Sequence, residues 1–127
     1  NIAYKNNIDG LIISNTSTER PSNLTSGFCS ESGGLSGKPL RDKSNEVLKL
    51  VAAKTKGEIS LIGVGGISNA KDVYQKIKLG ASAVQLYTAL TFEGSKLIEN
   101  IKRDLVKFLK QDNFENIEQA VRSEIKN

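Results

Sequence analysis

Three short apolar runs, each followed by a stretch with helical periodicity, constrain this chain more than any other feature. The runs are Gly10-Leu11-Ile12-Ile13-Ser14, Ile59-Ser60-Leu61-Ile62-Gly63-Val64 and Ser82-Ala83-Val84-Gln85-Leu86-Tyr87. Strands separated by helical stretches predict a parallel sheet, because a parallel return needs a crossover of about a dozen residues or more. Runs this apolar suit strands covered on both faces.

The helical stretches have legible faces and ends. Val47, Leu48, Leu50, Val51 and Ala52 recur at helical spacing behind Ser44 as N-cap, and Gly57 stops that helix. The next helix starts after Ser68, carries Ala70, Val73 and Ile77 on one face, and ends at Gly80 in a left-handed C-terminal position. A longer helix places Leu97, Ile98, Ile101, Leu105, Phe108 and Leu109 inward, with Glu99 and Arg103 one turn apart on its outer face. A last helix is expected over residues 116–125, packing through Ile117, Ala120, Val121 and Ile125.

The expected fold class is therefore α/β: the C-terminal part of a TIM (β/α)8 barrel, with three βα units plus C-terminal helices in a single partial domain over residues 1–127. A closed barrel takes about 250 residues, so the remaining strands are expected on the N-terminal side. An open three-stranded parallel sheet would leave both outer edges unprotected. The start, Asn1-Ile2-Ala3-Tyr4-Lys5, shows no secretory or targeting pattern and reads as the middle of a longer chain.

Composition removes several chemistries. With no His and one Cys, Cys29, the chain offers no Ser-His-Asp hydrolysis, no His-ligated metal and no paired-cysteine zinc or redox site, so no metal is expected. Cys29 lies among small polar residues with no His partner and reads as structural or incidental. A net charge of +4 favours an anionic partner. Aromatics make up only 6% and the lysines are spread along helices, so nucleic acid is not the expected partner.

Ligand sites in parallel α/β folds gather where strands end. Gly65-Gly66 leads straight into a helix and can bring bare backbone amides against an anion. Tyr87-Thr88 follows the third strand, with the Thr88 hydroxyl as a further donor. Asn15 and Thr16 follow the first, and offer a carboxamide and a hydroxyl suited to a flat heterocycle with amide-like edges. Spacing alone also allows each of these to be an ordinary polar turn. The connection over residues 16–43 is long, polar and glycine-rich, and such loops are usually functional. Within it, Ser36 and Gly37 are the expected contacts to a planar ring, while Lys38 and Arg41 read as surface charges. Its Gly37-Lys38-Pro39 does not fit the P-loop, which requires Ser or Thr after the lysine.

Four blocks carry a resemblance when taken together. They are Ser14-Asn15-Thr16-Ser17-Thr18, Ser32-Gly33-Gly34-Leu35-Ser36-Gly37-Lys38-Pro39-Leu40, Ile62-Gly63-Val64-Gly65-Gly66-Ile67 and Gly80-Ala81-Ser82-Ala83-Val84-Gln85-Leu86-Tyr87-Thr88. In this order the chain resembles the C-terminal half of the class 2, quinone-reducing dihydroorotate dehydrogenases. The resemblance implies a TIM barrel that holds FMN above its C-terminal strand ends and oxidises dihydroorotate to orotate in pyrimidine (UMP) biosynthesis, with a quinone as acceptor.

Carried over by motif, Asn15 and Thr16 would bind the substrate, Ser14 would border the flavin, and Ser36 and Gly37 would contact FMN. Gly65, Gly66, Tyr87 and Thr88 would hold its phosphate. The resemblance places the catalytic base, a serine, and the membrane-binding helices in the N-terminal half, so this chain alone is expected to be inactive. It further implies peripheral association with a membrane, the bacterial inner membrane on its cytoplasmic side or the mitochondrial inner membrane. Two other readings stay open on the residues alone: a phosphoribosyl-binding barrel isomerase or synthase, and a non-catalytic basic binding module.

Overall fold

The computed structural model describes residues 2–125. Three parallel strands, β1 (Gly10–Ile13), β2 (Ser60–Val64) and β3 (Ala83–Gln85), lie in the order β1-β2-β3. Leu11 pairs with Leu61 and Ile13 with Gly63, and Gly63 in turn pairs with Val84, so all three strands end at the same edge of the sheet. Around them run α1 (Ile2–Lys5), α2 (Arg41–Thr55), α3 (Ala70–Lys78), α4 (Thr88–Glu93), α5 (Lys96–Gln111) and α6 (Ile117–Ala120). The domain read over residues 1–127 includes Asn1, Lys126 and Asn127, which lie outside the described residues.

The core is one cluster. Leu48 and Ala52 of α2, Val73 and Ile77 of α3, Leu97 and Ile101 of α5 and Leu61 of β2 are buried together. Truncating one such leucine to alanine typically costs about 2–5 kcal/mol. Tyr74 and Phe108 stack with ring centroids 5.5 Å apart, joining α3 to α5. The C-terminal segment is fastened by Arg122, whose guanidinium donates to the Ala52 carbonyl at 2.7 Å and whose N–H donates to Ile77.

Several local expectations are corrected. Ser44 is no cap: α2 begins three residues earlier, after a 3-10 turn over Lys38–Leu40, and buries Ser44 inside the helix. The cap of α3 is Asn69, whose side chain accepts from the Asp72 N–H at 3.0 Å, and Ser68 instead bonds the Asp72 carboxylate. β3 stops at Gln85, so Leu86 and Tyr87 lie beyond it, and the short α4 precedes α5. The last helix is a single turn, because its chain must bend back to reach α2 and α3.

Glu99 and Arg103 do not pair; Arg103 donates to Asn100 and approaches Asp104 instead. Leu50 points outward and is 55% exposed. The described residues do not cover the strands on both faces. Ile12, Ile62 and Ala83 form one row on the face opposite the helices, and Ile12 is 57% exposed. An apolar row of that kind is what a barrel places in its interior.

Candidate functional site

Because the three strands end together, the segments that leave them converge. Ser14, Asn15 and Thr16 follow β1, Gly65 and Gly66 follow β2, and Tyr87 and Thr88 follow β3. The long connection crosses above and brings Ser36 and Gly37 to the same place. All nine line one hollow of about 330 Å3. That volume is at the lower end for small-molecule sites, which run from about 300 to 1,000 Å3.

The connection is held without a hydrophobic core of its own. Ser17 and Leu35 exchange backbone hydrogen bonds of 3.2 and 2.7 Å. Arg20 gathers the rest, donating to the carbonyls of Cys29 at 3.0 Å, Glu31 at 2.9 Å and Gly33 at 2.8 Å. A side chain with several fixed donors can replace the sheet or helix that would otherwise satisfy such carbonyls. Lys43 pairs with Glu19 across the base of the loop. Cys29 is exposed within it.

Two glycines are required by what touches them. Gly34 packs on Thr16 so closely that any Cβ would overlap the threonine hydroxyl. Gly66 has φ of +74°, and a Cβ there would collide with the backbone of Arg41 at the start of α2. The loop after β2 is thus pressed against α2 with bare backbone. Among the described residues, the N–H groups of Gly66, Tyr87 and Thr88 donate to no backbone acceptor outside regular elements.

Side chains complete the rim. The Thr88 hydroxyl donates to Ser36 Oγ at 3.1 Å. Asn15 Oδ1 accepts from the Thr16 N–H at 2.8 Å, so its acceptor is occupied in a local turn and its amide donor is left for other partners. Arg41 is only partly a surface charge: it approaches Asp72 at 3.4 Å as well as Asp42. Asp72 is 6% exposed and also accepts from the Ser68 N–H and hydroxyl at 3.0 and 2.8 Å. Among the described residues, no three His, Cys, Asp or Glu side chains converge as metal ligands would.

A family model for dihydroorotate dehydrogenase matches residues 1–109. The chain belongs to the dihydroorotate dehydrogenase family. Among curated relatives, the mitochondrial dihydroorotate dehydrogenase (quinone) of Mus musculus is 48% identical over 120 residues, covering 94% of this chain and 30% of that protein. The dihydroorotate dehydrogenase (quinone) of Rhodospirillum rubrum is 44% identical over 120 residues, covering 94% and 33%. The ligand-free dihydroorotate dehydrogenase crystal structure from Eimeria tenella superposes with a TM-score of 0.95 at 34% identity, covering 99% of this chain and 35% of that one. The chain therefore spans about a third of the length of these relatives. Its parallel sheet with outer helices has the form of part of a dihydroorotate dehydrogenase TIM barrel.

The hollow also includes residues beyond those expected from the sequence. Gly34, Leu40, Val64, Ile67, Gln85 and Leu86 complete its lining. Beneath it, Lys76 is fully buried and donates to Ser44 Oγ at 2.6 Å and Asn45 Oδ1 at 2.8 Å. Burial pulls its ammonium pKa down to about 8, with Asp72 opposing the shift. The signal for Lys76 was present: it lies one turn after Asp72 and between Val73 and Ile77 on the inward side of α3, where a lysine breaks the apolar pattern.

Proposed function

We propose that this chain contributes to an FMN-dependent dihydroorotate dehydrogenase that oxidises dihydroorotate to orotate and passes the electrons to a quinone, in pyrimidine biosynthesis. The observation that carries the reading is the meeting of the Gly65-Gly66 and Tyr87-Thr88 turns at one hollow in a chain of this family. Quinone appears in the names of the mouse and Rhodospirillum relatives, which supports the acceptor. Family membership favours this reading over a phosphoribosyl-binding isomerase or a basic binding module.

The residues fit the cofactor on physical grounds. Gly65 and Gly66 offer backbone with no Cβ between it and a phosphate, and Thr88 adds a hydroxyl. Ser14, Ser36 and Gly37 would lie along the flavin ring. Asn15 and Thr16 would hold the carbonyl and amide edge of the pyrimidine through the free Asn15 amide donor and the Thr16 hydroxyl. Bound there, FMN would supply the two-electron acceptor that no side chain here provides. Everything this chain does is binding, orientation and exclusion of water.

The proton-abstracting serine is assigned to a part of the enzyme outside this chain, as is peripheral attachment to a bacterial or mitochondrial inner membrane. No described helix is long and apolar enough to cross a membrane. The test is a flavin titration of the protein that contains these residues. Binding of FMN well above riboflavin, with dihydroorotate bleaching the flavin absorbance and quinone restoring it, is expected. Failure to retain flavin, or turnover by residues 1–127 alone, would overturn the proposal.

A further inference from the structure

A buried positive charge sits directly behind the glycine turn. The Lys76 stem crosses under Gly63 of β2, where an added Cβ would lie 3.1 Å from Lys76 Cδ. Its ammonium ends between Ser44 and Asn45 of α2. An ammonium has only donors, so Ser44 Oγ accepts from it and must send its own proton elsewhere. Two carbonyls lie within reach, those of Arg41 and Gly65, each at 3.0 Å.

The bond to Gly65 has a geometric consequence. Its carbonyl and the Gly66 N–H belong to one planar trans peptide and point in opposite directions. Anchoring the carbonyl toward α2 aims the Gly66 amide away from α2. Gly66 lines the hollow, and its N–H has no backbone acceptor among the described residues.

Energetics argue that the lysine is there for more than stability. A well-packed apolar side chain of similar volume usually serves a core as well as or better than a buried charge. Lys76 is fully buried, and Asp72, the acid nearest in charge, is shared with Arg41 and Ser68. A cation held behind a turn that binds a phosphate dianion would be stabilised by that ligand.

We propose that Lys76 is a positioning residue that, through Ser44, fixes the Gly65-Gly66 peptide so that its amide faces the ligand phosphate. The proposal rests on the flavin-phosphate reading above.

The experiment compares FMN with riboflavin, which lacks the phosphate, as probes of the flavin-free full protein. Dissociation constants come from fluorescence quenching for wild type, Lys76→Met and Ser44→Ala, with circular dichroism confirming the fold. Ser44→Ala removes one oxygen and keeps the proposal testable if Lys76→Met does not fold. Each variant should bind FMN about 10-fold more weakly, near 1.4 kcal/mol, and riboflavin within about 2-fold of wild type. Equal loss for both ligands, or no loss for either, would overturn the role of Lys76. A wild type that binds both flavins equally would instead remove the phosphate site itself, and the proposal with it.

Discussion

The Thr88 hydroxyl donates to Ser36 Oγ across 3.1 Å, joining two residues 52 positions apart in the chain. One belongs to the turn after the last strand and the other to the long connection after the first. Nearby, a Cβ on Gly37 would lie only 3.1 Å from Thr88 Cγ2, so the connection rests on Thr88 through both a hydrogen bond and a close contact. Loop and turn therefore form one wall of the hollow.

Replacing Thr88 with valine keeps the shape and removes the hydroxyl. Because Ser36 is exposed, stability should fall by less than about 1 kcal/mol, as is usual for a hydrogen bond with water at hand. FMN affinity of the full protein should fall about 10-fold, since the hydroxyl that can turn its single proton from Ser36 to a charged phosphate is lost. Parallel urea melts and flavin titrations separate the two effects, and an unchanged FMN affinity would remove Thr88 from the phosphate site.

Gly66→Ala should be among the most damaging single-methyl additions. The backbone there sits at φ of +74°, and the new Cβ would run into Arg41 at the start of α2. Strain of this kind costs about 1–3 kcal/mol before the collision is counted. The urea midpoint should drop accordingly, whereas Gly27→Ala, with nothing within 4 Å of the new methyl, serves as the control.

Lys76 makes stability depend on pH in a predictable direction. Its folded pKa of about 8 lies below the ordinary 10.5, chiefly through burial. Between those values the unfolded chain holds the proton and the folded one does not, so raising the pH favours folding across this window. From about pH 8 to about pH 10 the wild type should gain stability relative to Lys76→Met, measured as the difference between their urea midpoints. A flat difference would show that the buried amine does not titrate there.

Tyr74 acts in the opposite sense at higher pH. Burial first, and then its 2.8 Å hydrogen bond to Asp112, push its phenol up to about 12 from 10.0. The folded state keeps the proton that the unfolded state loses, so this contribution is complete below pH 10.0 and is lost as the pH rises through about 12. Relative to Tyr74→Phe, the wild type should lose stability across that interval in equilibrium unfolding.

Arg122→Ala should cost about 1–2 kcal/mol, although it lies in the final turns of the described chain. Its guanidinium donates to the Ala52 carbonyl near the end of α2, and its side chain lies beside Gly57 and Gly80, where an added Cβ would be 3.6 and 3.5 Å from it. Thermal unfolding of the variant beside wild type gives the measurement, and a neutral result would mean that water replaces the bond.

Much of the fold was legible because its signals are local. The apolar runs of all three strands and the inward faces of α3 and α5 follow directly from side-chain periodicity. Boundaries were less so. Ser44 has the chemistry of a cap, and only the 3-10 turn at Pro39 and the burial of Leu40 show that α2 starts before it. Ser68 and Asn69 are both competent caps, and the geometry of the turn from Gly66 decides for Asn69. The single turn of α6 could not be read from Ile117 and Val121, because Arg122 bends the chain to meet α2, a contact 70 residues away.

By itself the sequence determined which residues end the strands and which glycines and hydroxyls leave them, because alternation, helical spacing and turn chemistry are properties of neighbouring residues. Only the tertiary structure decided that Ser36 meets Thr88, that Arg20 organises a loop without a core, and that Lys76 lies behind Gly65. Those relationships join distant segments, and they exist only after the parallel sheet has brought three strand ends to one edge and closed helix α2 over them.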